Sequence, residues 1–146
     1  MTHVYTSSVI DAPRDKVWAA VRDFNGLPDW HPAIAESEIE AGLVADQVGC
    51  IRHFKLQDGG VIREQLLALS DDTCSCTYSI LESPMGVRNY RATLKLTEIT
   101  DADRCFAEWS ADFDCDPEAE SGLIELIGTG VFQGGFDALK AKMGEA

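Results

Sequence analysis

Apolar positions recur with two different periods along the chain, and the switches between them predict its elements. His3 to Ile10 is a β-type run rich in Val, Tyr, Thr and Ser. Asp11-Ala12-Pro13 stops it and starts a helix whose apolar stripe is Val17, Trp18, Val21 and Phe24. Proline suits the first helical turn, and Asp15 complements the N-terminal dipole. Asn25-Gly26-Leu27-Pro28 ends that helix, and a short turn with Asp29, Trp30, His31 and Pro32 follows, stiffened by two prolines. From Ile34 the period falls to 2. Strands are predicted at Ile34 to Glu40, Gly49 to Leu56, Val61 to Leu69, Cys74 to Leu81, Tyr90 to Thr97 and Cys105 to Phe113. Asp58-Gly59-Gly60 marks a hairpin between the second and third of these.

The period returns to 3.6 from Pro117 to Met143, which predicts a long C-terminal helix. Leu123, Ile124, Ile127, Val131, Phe132, Phe136, Leu139 and Met143 fall on one wide apolar arc, opposite Glu125, Thr129, Gln133 and Lys140. A surface helix needs a stripe only somewhat wider than about 100°, so this one is expected to be embraced by other structure. It also carries Gly128, Gly130, Gly134 and Gly135, each costing roughly 0.8–1 kcal/mol against alanine in a helix. Gly128 and Gly135 sit seven apart in the middle of the arc. Either another backbone approaches there, or space is left for something that is not protein.

Strands grouped together, with helices segregated to the ends, indicate one α+β domain over residues 1–146 with an antiparallel sheet. Six or seven strands sharing an apolar face suggest a curved sheet wrapped on the helix. Alternation assigns the sides. The face carrying Cys50, Phe54 and Leu56 must carry Arg52, and the face carrying Ile62, Leu66 and Ala68 must carry Glu64. With a three-residue Asp58–Gly60 loop, Phe54 lies opposite Glu64 and Arg52 one diagonal step away. A two-residue loop would put His53 opposite Glu64, but the first register collects the apolar residues together. An inward Arg-Glu pair is expensive to desolvate. It either orients a ligand in a partly hydrated cavity or closes the end of the sheet. Tyr78, Tyr90 and Trp109 continue this face, each with an apolar body and a polar tip, as pocket walls or as core.

Composition narrows the function classes. Twenty-five acidic against 12 basic residues give a formal net charge of −13, which disfavours nucleic acid and anionic membrane surfaces as partners. No apolar run approaches the roughly 18–20 residues of a membrane span, and MTHVYTSSV lacks the pattern of a signal peptide, so a cytoplasmic protein is expected. The five cysteines (Cys50, Cys74, Cys76, Cys105, Cys115) are then expected as reduced, largely buried thiols, without metal-binding spacing. His31 is either a surface turn residue or an acid/base in a rigid aromatic turn. No nucleophile elbow, phosphate loop, zinc-protease motif or dinucleotide glycine motif is present.

Ile10-Asp-Ala-Pro-Arg-Asp-Lys-Val-Trp18, Asp23-Phe24 with Trp30-His31-Pro32, and Gly49-Cys-Ile-Arg52 with Asp58-Gly-Gly and Arg63-Glu64 resemble the SRPBCC superfamily. Tyr78, Asn89-Tyr90 and Trp109-Ser-Ala-Asp-Phe113 extend the likeness over essentially the whole chain. It is greatest to the bacterial polyketide cyclase/dehydratase and lipid-transport branch, including MxaD-like proteins. The resemblance implies a helix-grip fold, in which a seven-stranded antiparallel sheet wraps a long C-terminal helix and two short helices follow the first strand. It also implies a deep apolar cavity for a lipid, sterol, hormone or polyketide, with Trp30 and Pro32 at the rim. Arg52, Glu64, Tyr78, Tyr90 and Trp109 would belong to the inner sheet face. The expected function is binding of a small hydrophobic molecule by a monomer or homodimer without a cofactor. Trp30, Arg52, Phe54, Glu64, Tyr78, Tyr90, Trp109, Gly128, Phe132 and Gly135 are the expected contacts, with Gly128 and Gly135 widening the space beside the helix. A cyclase or dehydratase using Glu64, Arg52 and Tyr78 is the alternative, and a protein-interaction module the third.

Overall fold

A computed structural model describes residues 1–144 of the chain. Strands β1 (Thr2–Ile10), β2 (Ile34–Ile39), β3 (Ile51–Leu56), β4 (Val61–Ser70), β5 (Ser75–Glu82), β6 (Arg88–Ile99) and β7 (Arg104–Asp114) form one antiparallel sheet in the order β1-β7-β6-β5-β4-β3-β2. Two short helices, α1 (Arg14–Val21) and α2 (Leu27–Trp30), connect β1 to the opposite edge strand β2. Pro13 is the cap of α1 rather than its first residue, and the aromatic turn after Gly26 is itself helical. The sheet's inner face buries Cys76, Tyr78, Tyr90, Ala92, Leu94, Leu96 and alternate residues of β7 against the C-terminal helix.

The β3–β4 hairpin differs from the expected register. Leu56 donates its backbone N–H to the Gly60 carbonyl, so the three loop residues are Gln57, Asp58 and Gly59. Arg52 then pairs directly with Glu64 and Phe54 with Ile62. A shift of two residues keeps every side chain on its expected face, which is why the apolar pattern alone could not separate the two pairings. Asp58 favours the observed turn by accepting from the Gly60 N–H through its carboxylate, and Gly59 takes the left-handed conformation at φ 92°. Farther along β4 a bulge around Leu67 breaks the alternation, so Ala68, expected inward, is exposed and Leu69 takes the inner side.

The C-terminal helix runs from a 3₁₀ turn at Pro117–Ala119 into α3 (Glu120–Glu125), a π-helical segment (Leu126–Gln133) and α4 (Gly134–Gly144). Within it the Gly134 N–H reaches back five residues to the Thr129 carbonyl. The buried positions accordingly step from Leu123 to Ile127 to Phe132, an interval of five where an α-helix would use four. This changes the expected arc. Ile124 is 41% exposed, and Val131 is only half-buried, because the wider turns rotate Phe132 into its place. No helix among the described residues is long and apolar enough to cross a membrane.

Candidate functional site

A cavity of about 580 Å³ lies between the sheet and the π-helical segment, within the usual range for small-molecule pockets. Its mouth is framed by the β3–β4 turn at Gln57 and Asp58, by Pro84 and Met85 between β5 and β6, and by Leu126 and Gly130 of the helix. Phe54, Leu56, Ile62, Ile80, Ile127 and Val131 form apolar walls. Arg52, Glu64, Tyr78 and Tyr90 contribute the polar surface. Arg52 lies four residues before the end of β3, about 13 Å along an extended strand, so the polar groups sit well inside the mouth.

The Arg52–Glu64 pair is 6% exposed on each side. Nε of Arg52 donates to Oε1 of Glu64 at 2.8 Å, Nη2 makes a 2.6 Å ionic contact with the same oxygen, and Nη1 donates to the Phe24 carbonyl at 3.1 Å. The guanidinium plane lies over the Phe24 ring at 3.9 Å and near the Tyr78 ring at 4.9 Å. The second carboxylate oxygen, Oε2, accepts no hydrogen bond from the described residues. Burial pushes the Glu64 carboxyl above its usual range, against the opposing pull of the Arg52 charge. Trp109 Nε1 donates to the Tyr78 hydroxyl at 3.0 Å. Burial holds the phenols of Tyr78 and Tyr90 well above their ordinary pKa, so both remain neutral hydrogen-bonding groups.

His31 also lines the cavity, but not as a free acid or base. It is 2% exposed. Its Nε2–H donates to the Val131 carbonyl of the π-helical segment at 2.8 Å, and its Nδ1 accepts from the Ala33 N–H at 3.2 Å. Those two partners require a neutral imidazole, and burial lowers its pKa to match. The ring therefore ties α2 to the helix and satisfies a carbonyl in the irregular stretch.

Four expected ligand contacts lie elsewhere. Trp30 and Phe132 belong to an aromatic cluster beside the cavity, where Phe132 stacks on Trp109 at 4.5 Å between ring centroids and Trp30 lies 5.9 Å from it. A Cβ at Gly135 would stand 3.0 Å from both His31 and Trp109 and 3.1 Å from Trp30, so this glycine permits close aromatic packing rather than ligand space. Gly128 faces β1, where a Cβ would meet Val4 at 3.3 Å, and its carbonyl accepts from the Thr6 hydroxyl. Pro32 is exposed. Arg52, Phe54, Glu64, Tyr78, Tyr90 and Trp109 do come together on the cavity wall. The helical glycine that borders the cavity is Gly130, whose absent side chain would approach only Leu126, at 3.6 Å. Its excess cost in a helix was a visible signal. Leu126, 47% exposed at the mouth, had none, because its place depends on the π-helical phase.

A family described as polyketide cyclase/dehydrase and lipid transport matches residues 1–144. The protein XoxI from Bacillus cereus is 32% identical over 98% of this chain and 96% of its own, with a TM-score of 0.88. A Thermobifida fusca protein solved by NMR is 30% identical over 99% of this chain and 95% of its own, also at 0.88. Norcoclaurine synthase from Thalictrum flavum, solved with dopamine and hydroxybenzaldehyde, shares the fold at 21% identity and a TM-score of 0.76, covering 99% of this chain and 87% of its own. With a seven-stranded sheet gripping its C-terminal helix, the chain belongs to the polyketide cyclase/dehydrase and lipid-transport family of the SRPBCC superfamily.

Proposed function

We propose that the protein binds a small, largely apolar molecule of lipid, polyketide or aromatic type between the sheet and the C-terminal helix. The observation that carries this reading is the 580 Å³ cavity, apolar along most of its wall and ending on buried polar groups. Burying the body of such a ligand contributes about 25 cal/mol per Å² of apolar surface, and the polar groups fix its orientation. Native mass spectrometry of protein taken from its source, with titration of apolar fluorescent probes, tests the proposal. A bound small molecule and saturable probe binding are expected. An empty protein that takes up neither aliphatic nor aromatic probes refutes it.

A cyclase or dehydratase activity in the same cavity is a second reading, favoured specifically by Glu64. A buried carboxyl of raised pKa, with one oxygen accepting no hydrogen bond from the described residues and neutral tyrosine hydroxyls on the same wall, suits proton transfer next to a developing oxyanion. Glu64→Gln discriminates the two. Lost turnover of a polyketide-like substrate with retained ligand affinity assigns catalysis to Glu64. Lost folding assigns the residue to the structural ion pair.

A further inference from the structure

The pairing geometry of Arg52 and Glu64 bears on which ligands the cavity accepts. A lone arginine at the inner end of an apolar pocket is a carboxylate receptor. Here the guanidinium is already matched: Nε donates to Oε1 of Glu64, Nη2 is in 2.6 Å ionic contact with that oxygen, Nη1 donates to the Phe24 carbonyl, and aromatic rings lie against its faces. Toward the cavity the pair also presents the second oxygen of Glu64, which accepts no hydrogen bond from the described residues, in a side chain that is 6% exposed. The phenols of Tyr78 and Tyr90 share the same wall. Tyr78 already accepts from Trp109 Nε1 and lies beside the Tyr90 hydroxyl, so the two phenols together keep an O–H to donate.

Resting on the ligand-binding reading above, we infer that the cavity selects neutral hydroxyl-bearing ligands, phenols or alcohols, over carboxylates, and that Glu64 is the specificity-determining residue. A hydroxyl can donate to Glu64 Oε2 while accepting from a tyrosine O–H, so one ligand group satisfies both. A carboxylate brings no donor and places negative charge against Oε2 in a poorly solvated wall, with the Arg52 charge already matched. An ammonium ligand would meet the Arg52 guanidinium as a like charge across the same carboxylate. Protonating Glu64 to admit an anion would leave Arg52 without its counter-charge, so the pair opposes that escape.

The test is binding of 2-naphthol, 2-naphthoate and naphthalene to the purified protein at neutral pH, by calorimetry or competition with a fluorescent probe. The expected order is naphthol tightest, with naphthoate weaker by at least about tenfold, the usual scale of one charge-assisted hydrogen bond. In Glu64→Gln, which leaves Arg52 without its counter-charge, the preference should shrink or invert as naphthoate gains affinity. Wild-type naphthoate binding as tight as naphthol overturns the inference, as does a folded Glu64→Gln protein with an unchanged ratio. Should that variant fail to fold by circular dichroism, the wild-type ratio decides alone. Equal binding of all three probes removes the selectivity and leaves the cavity reading standing. Failure of naphthalene and naphthol alike removes both.

Discussion

His31 is held by a hydrogen bond at each ring nitrogen, and both fix it as a neutral imidazole. Charging it would break the bond from Ala33 and bury a cation among Trp30, Trp109 and the Arg52 charge. Because folding lowers its pKa from 6.5, the unfolded chain binds the extra proton more readily. Its contribution to stability is therefore complete above about pH 6.5 and is lost as pH falls toward the folded-state value, with a slope of up to about 1.4 kcal/mol per pH unit. Glu64 works in the opposite direction. Its pKa is raised by folding, so its share is complete below the unfolded value and is lost as pH rises through the folded one. The difference between wild type and His31→Gln isolates the histidine. Urea unfolding between about pH 5 and 8 should show the variant losing less stability on acidification than wild type. Parallel pH profiles would show that the ring is not the titrating group.

The C-terminal helix shows how far the sequence reached and where it stopped. Its existence and its burial by a curved sheet were legible, because eight apolar positions at helical spacing have no other use. The inward face of each strand was also legible from period 2, including the unusual placement of Arg52 and Glu64. Two kinds of local departure were not. A two-residue register shift in the β3–β4 hairpin preserves the alternation and leaves no trace in it. A π-helical stretch or a bulge inserts one residue into a period without changing composition, so Val131 and Ala68 moved relative to expectation and Leu126 came to the cavity mouth unsignalled. Gly130 in that stretch and Gly135 in α4 just after it separate cleanly by experiment. Gly135→Ala should destabilise the fold by about 1–3 kcal/mol, since its Cβ would press on three ring atoms at 3.0–3.1 Å. Gly130→Leu should fold at near wild-type stability and weaken probe binding several-fold, because that position borders the cavity with open space around it. Thermal melts and probe titration on both variants check this. Stable Gly135→Ala protein, or undiminished binding to Gly130→Leu, would reverse the assignment of tight packing and open wall.

Across the whole molecule, stability and binding are drawn from different halves of one interior. One half is solid. The long β6–β7 pairing, β1 beside it, and α4 enclose Trp109, Phe132 and Phe136, with ring centroids 4.5–5.9 Å apart, and Gly135 lets Trp30 and His31 close on the same cluster. The other half holds the cavity, walled mainly by β3, β4, β5 and the π-helical segment and reaching Tyr90 and Trp109 where the two halves meet, and its rim residues Asp58, Pro84 and Leu126 are exposed. Elements that line unfilled space have fewer apolar neighbours and open at lower free energy than those packed on all sides. Amide hydrogen exchange should thus be slowest in β6, β7 and α4, and faster in the β3–β4 tip and Leu126–Gln133. A ligand seated in the cavity stabilises only the states that keep it closed, by about 2.7 kcal/mol at a concentration of 100 Kd. Saturation with a bound hydroxy-aromatic probe should therefore slow exchange in the β3–β4 tip and the π-helical segment first. For amides of β6 and β7 that open only with global unfolding, the change should equal the overall gain in stability. Equal slowing at every measurable amide would mean that the segment opens only with the whole molecule. Slowing at β1 and the π-helical segment without the β3–β4 tip would instead place the ligand in a groove between β1 and the helix, lined by Val4, Thr6, Gly128 and Thr129.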